Sequence, residues 1–80
     1  MKAKDMFLEC GYSYSKKKNI IRYERVDLED DVYIEFIPDF SNNNGEISVT
    51  IPCGYHTYFF SVYEINAINK QIEELGWSDK

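Results

Sequence analysis

The sequence predicts an α+β domain: a short N-terminal helix, an antiparallel sheet of four or five strands, and a C-terminal helix packed on the sheet. Three observations carry this. The segment from Phe60 to Trp77 has a helical start signal, a helical period and a stop signal in agreement. Between about residue 12 and residue 60 the apolar residues recur with period two, broken by short polar turns. Strands that follow one another without intervening helices favour an antiparallel meander over alternating strand–helix units. At 80 residues the chain makes one domain, 1–80, whose small core leans on aromatic packing: seven Tyr, five Phe and one Trp.

The first element is Ala3 to Gly11, with Met6, Phe7 and Cys10 at helical spacing and Gly11 as its end. Its close, Phe-Leu-Glu-Cys-Gly-Tyr, parallels Ile-Glu-Glu-Leu-Gly-Trp at the other end of the chain, so both helices are expected to use the same glycine-then-aromatic stop. Tyr12 to Ser15 alternates and puts Tyr12 and Tyr14 on one face, with Lys16 to Asn19 as a solvated turn. Ile20 to Val26 sends Ile21 and Tyr23 to the core and Arg22 and Glu24 to water. Asp27 to Asp31 is an acidic connection. Val32 to Ile37 follows with Val32, Ile34 and Phe36 inward, and Pro38 is expected to stop it. Ser41 to Gly45 is a polar loop with Gly45 in the turn position, and Glu46 to Ile51 alternates Ile47, Val49 and Ile51 against Ser48 and Thr50. Tyr55 to Phe60 completes the sheet.

In the C-terminal helix, Ser61 and Glu64 have the spacing of a capping box, Phe60 and Ile65 that of a hydrophobic staple, and Gly76 and Trp77 that of a Schellman stop. Val62, Ile65, Ile68, Ile72 and Leu75 form the apolar stripe that faces the sheet.

Charge is more informative than its total of −5. Residues 1–25 carry seven Lys/Arg and three Asp/Glu, whereas residues 26–69 carry eight Asp/Glu and no Lys or Arg. Such a stretch disfavours nucleic acid as a direct partner and permits a protein with a basic surface. The docking residues read from it are Asp27, Glu29, Asp30, Asp31 and Glu35, with Asp39 and Glu46 in the same acid-rich segment; the plainer reading is a solvated surface. No apolar run approaches the roughly 20 residues of a membrane span, and no apolar signal core follows the N-terminal lysines, so a cytoplasmic protein without a membrane role is expected.

Catalytic signatures are missing: there is no phosphate loop, nucleophile elbow or paired-histidine motif, and the chain is not read as an enzyme. Cys53 and His56 have the gap of half a zinc site, with Cys10 as a third ligand, but a zinc site of this type needs a second such pair. The plainer reading is a turn cysteine, a strand histidine and a core cysteine, and no cofactor is assigned.

The block Ala67-Ile-Asn-Lys-Gln-Ile-Glu-Glu-Leu-Gly-Trp77, with Ala3-Lys-Asp-Met-Phe7 and Gly11-Tyr12 near the start, resembles small accessory proteins of Gram-positive phages and prophages. The match covers both ends of the chain, and Cys10 stands where those proteins would have Leu, which fits a core role. The resemblance implies a phage accessory protein of α+β fold and supplies no catalytic residue. Small phage proteins often bind and block a host enzyme, and some anti-CRISPR proteins are acidic domains of this size that occupy nucleic-acid channels. The expected function is therefore inhibition of a host defence protein, such as a CRISPR effector nuclease, in the host cytoplasm. The alternatives are a zinc-stabilised interaction module or a virion or assembly component.

Overall fold

The structure is a computed structural model that describes residues 1–26, 31–51 and 58–77. Its elements are α1 (Ala3–Glu9), β1 (Ser13–Lys17), β2 (Ile20–Arg25), β3 (Val32–Asp39), β4 (Asn44–Thr50) and α2 (Val62–Leu75). The four strands form an antiparallel meander in the order β1-β2-β3-β4, and both helices lie on one face of it. The predicted α+β architecture is the one observed.

Period two decides which side of each strand is buried. Tyr23 pairs with Ile34 and Ile21 with Phe36, and these residues are buried together with Val32 on the helix-covered face. Phe7 of α1 stacks on Tyr23 with ring centroids 3.8 Å apart and meets Phe36 edge-on at 6.2 Å. The core is thus a stack of aromatic rings between α1 and the middle strands, closed by Ala67 of α2.

Both helices end alike, as their parallel sequences predict. The Gly11 N–H donates to the Leu8 carbonyl and the Tyr12 N–H to that of Phe7; at the other end the Gly76 N–H donates to Glu73 and the Trp77 N–H to Ile72. Each pair is a Schellman motif, and Gly11 and Gly76 supply the positive φ it requires, 92° and 72°. The capping box of α2 is also present. The Ser61 hydroxyl accepts from the Glu64 N–H at 3.2 Å, and the Glu64 carboxylate accepts from the Ser61 N–H at 2.8 Å.

Five local expectations are corrected. The turn between β1 and β2 is only Lys18-Asn19, with Lys17 still paired to Ile20 and Lys18 at φ 58°. β3 runs through Pro38 to Asp39. Its pairing with β2 ends at Phe36, so among the described residues only β4 flanks the strand beyond that point and a residue without an N–H is tolerated. Gly45 is a strand residue opposite Pro38, and the positive φ of the loop falls on Asn43. Gly45 is required for a different reason: a Cβ there would collide with the Trp77 ring and the Ile37 carbonyl. The last predicted strand falls on residues 55–57, outside the described residues, and on Tyr58, Phe59 and Phe60, which are not in a strand.

The fifth correction concerns α2. The head of the expected stripe faces solvent, with Val62 73% and Ile65 42% exposed, while Glu64, Ala67 and Gln71 are buried and Ile68, Ile72 and Leu75 half-buried. The helix is rotated because two core tyrosines need acceptors. The Tyr23 hydroxyl donates to Gln71 Oε1 at 2.5 Å, and the Tyr12 hydroxyl donates to Glu64 Oε2 at 2.6 Å. A buried hydroxyl without a partner costs more than leaving part of an isoleucine in water. Phe60 meets the Tyr58 ring at 5.0 Å, and Ile65 is too exposed to close a full staple over it.

Candidate partner-binding face

Alternation sends every second residue of the meander to the face that no helix covers among the described residues. From β1 and β2 these include Lys17, Arg22 and Glu24; from β3 and β4 they include Tyr33, Glu35, Ile37, Asp39, Glu46 and Ser48. Glu35 lies at its centre, opposite Arg22 on one side and Ser48 on the other. Glu46 stands opposite Ile37, so Glu35, Glu46 and Asp39 step along the β3–β4 half of the face by two residues at a time, about 7 Å per step.

The face is divided by sign. Its β1–β2 half carries both cations and one acid, and its β3–β4 half carries acids alone. Arg22 marks the boundary. Its guanidinium lies over the Tyr33 ring, 4.5 Å from the centroid, and its buried Nε finds no hydrogen-bond partner among the described residues. Asp39 is fully exposed and ordered by its own loop: its carboxylate accepts from the Ser41 N–H at 3.1 Å, the Ser41 hydroxyl at 2.7 Å and Asn42 Nδ2 at 3.2 Å. These bonds, the Ser41 hydroxyl first, hold its carboxyl below the ordinary carboxylate range.

Of the docking residues read from the sequence, Glu35 is on this open face and Asp31 is half-buried at the entry to β3. Asp27, Glu29 and Asp30 lie outside the described residues. Asp39 and Glu46 join Glu35 here through strand pairing, which no local pattern reveals. The zinc candidates Cys53 and His56 also lie outside the described residues. Among the described residues no three His, Cys, Asp or Glu side chains gather as metal ligands. Cys10 is half-buried against the core, as expected of it. Burial first, then the Glu64 and Glu9 carboxylates, push its thiol pKa up and make it a poor nucleophile.

A second polar assembly sits beneath a cleft of about 590 Å³ lined by Met1, Met6, Cys10, Arg25, Tyr63 and Glu64. Glu64, only 4% exposed, accepts from the Tyr12 and Tyr58 hydroxyls and from the Ser61 N–H. Arg25 lies 3.7 Å from the same carboxylate and donates to the Tyr58 hydroxyl at 2.7 Å. Burial raises the Glu64 pKa, but the bonds from Ser61, Tyr12 and Tyr58 outweigh it and hold the group below its ordinary value. Tyr12 and Tyr58 are pushed up, by burial first and then by the hydrogen bond to Glu64. A carboxylate already accepting three hydrogen bonds is a structural hub rather than a general base. The sequence signal for it was Glu64 itself, visible as a cap residue but not as a core one.

The chain matches no protein-family model, and no curated protein or solved structure is a significant match to it. No described helix is long and apolar enough to cross a membrane.

Proposed function

We propose that the protein is a phage-encoded accessory protein that binds and inhibits a host defence protein in the host cytoplasm. The target class it suits best is a CRISPR effector nuclease, whose nucleic-acid channel the acidic surface would occupy. The observation that carries this reading is the β3–β4 half of the open face, where Glu35, Asp39 and Glu46 stand on a rigid sheet with no cation between them. A channel lined with Lys and Arg to bind phosphates attracts spaced carboxylates for the same reason. Catalysis is not part of the reading, because the buried carboxylate nearest a cleft is committed to the fold.

The test is a competition assay between the protein and guide or target nucleic acid on purified effector nucleases, run across a salt series. Inhibition should weaken as salt rises. Charge reversal of Asp30 and Asp31 to Lys, and separately Glu35→Lys, should weaken it further while leaving the circular dichroism spectrum intact. Inhibition that survives both changes and ignores salt sinks the charge-mimicry reading.

A further inference from the structure

The two edges of the sheet are treated differently. β1 ends in Lys16 and Lys17 and turns through Lys18, and lysines on an edge strand discourage another strand from pairing with it. β4 has no lysine, no proline and a single charge, Glu46, in a strand whose sequence reads Asn-Gly-Glu-Ile-Ser-Val-Thr. Among the described residues its outer edge pairs with nothing. On the helix side of the sheet, Ile47 and Val49 stand directly beside the buried Phe36 and Ile34, yet they are 37% and 43% exposed. The apolar layer of the core thus continues past the helices and ends in the open at β4. A β-branched edge with one charge and exposed aliphatics on one side is what a sheet offers to an added strand.

We infer that β4 receives an extended segment of the basic partner, which adds as a fifth antiparallel or parallel strand with apolar side chains toward the helix side and Lys or Arg toward the open side. Charge selects this occupant. An added strand would place one set of alternate residues beside Ile47 and Val49 and the other set beside Glu46, within reach of Glu35 and Asp39. A second copy of this chain would bring the same acidic half-face against itself, with a net charge of −5 on each copy. The inference rests on the reading of a basic partner given above, and it adds the mode of contact: backbone pairing for affinity, alternating side chains for selection.

The experiment uses the full chain, isotopically labelled, and two probe peptides of identical composition. One alternates, acetyl-Lys-Val-Lys-Val-Lys-Val-Lys-amide; the other is blocked, acetyl-Lys-Lys-Lys-Lys-Val-Val-Val-amide. The alternating peptide should slow hydrogen exchange at alternate backbone amides within residues 46–50 and shift their resonances, and the blocked peptide should do neither. Val49→Lys, at an exposed edge position, should abolish the protection while keeping the melting temperature of the parent. If both peptides perturb the protein equally and salt removes both effects, strand addition is wrong while the acidic-face reading stands. Protection of β4 that persists unchanged at high salt removes the basic partner and that reading with it. Protection of the same amides without any peptide, rising with protein concentration, gives the edge to a second copy and overturns the proposal.

Discussion

The two faces of this sheet are built from the same strands, one residue out of step, and they obey different rules. On the helix side, Tyr23, Ile34 and Phe36 are fixed by shape: each is buried, and Tyr23 and Phe36 touch aromatic neighbours from several elements. On the open side, Glu35 and Glu46 are placed by strand pairing and Arg22 also by its stacking on Tyr33, and their content is charge. The first face spends its sequence on stability and the second leaves its sequence for a partner. Position 35 and position 36 are neighbours in the chain and have almost nothing else in common.

The sharpest test substitutes those two neighbours. Phe36→Ala removes a ring packed on Phe7 and Tyr23 and should cost about 3–5 kcal/mol, enough to unfold a domain of this size. Glu35→Ala should stay within about 0.5 kcal/mol, the range for an ordinary surface change. Urea denaturation of both variants measures the contrast, and equal losses would mean that the open face is not a free surface.

Next in size is the polar hub that reaches into the helix side. Glu64→Leu leaves the Tyr12 and Tyr58 hydroxyls and the Ser61 N–H without their acceptor, at about 1–3 kcal/mol for each buried donor that finds no water. The same group gives a pH signature. Its folded-state pKa lies below the ordinary 4.5, so the native state binds fewer protons than the unfolded one in that window. Its stabilisation is complete above pH 4.5 and is lost as pH falls through the lowered value. Melting temperature should therefore drop on acidification, and Glu64→Gln should flatten that drop while lowering the neutral-pH plateau. An acid limb identical in the two proteins would assign the effect to other carboxylates.

Gly45→Ala comes third. The new methyl meets the Trp77 ring and the Ile37 carbonyl, an overpacking that costs about 1–3 kcal/mol and that a movement of the ring alone does not relieve. Because the chain has one tryptophan, a shift in its emission would report that movement directly. A smaller change in stability is expected at Glu35→Lys, which sets a cation opposite Arg22 on an open face but buries nothing new. A normal melting curve with weakened partner binding would set the two faces furthest apart.

What could be read in the sequence was what local physics decides. The Schellman stops at Gly11 and Gly76, the capping box at Ser61 and the inward set Val32, Ile34 and Phe36 each depend on residues a few positions apart. The rotation of α2 could not be read, because Glu64 and Gln71 are buried by tyrosines far away in the chain, while the isoleucines nearby gave a more conspicuous pattern. Gly45 looked like a turn glycine because Trp77, which needs the space, lies far along the sequence. Pro38 looked like a stop because the end of the β2 pairing is a property of the sheet. The candidate face was half legible: acid content is a matter of composition, but the meeting of Glu35, Asp39 and Glu46 requires the register of β3 on β4.

The backbone N–H of Ala3 donates to Glu74 Oε2 at 2.8 Å, and α1 lies against α2 across almost the whole length of the chain. On the ribosome this has a kinetic meaning. Phe7 emerges early, yet the helix that helps to shelter it is synthesised more than fifty residues later. Until residues 62–77 leave the exit tunnel, the meander has an uncovered aromatic face and α1 lacks its neighbour. Folding should therefore wait for α2, in one step that closes the most distant contacts together, and a stalled nascent chain ending before Val62 should be readily digested by protease.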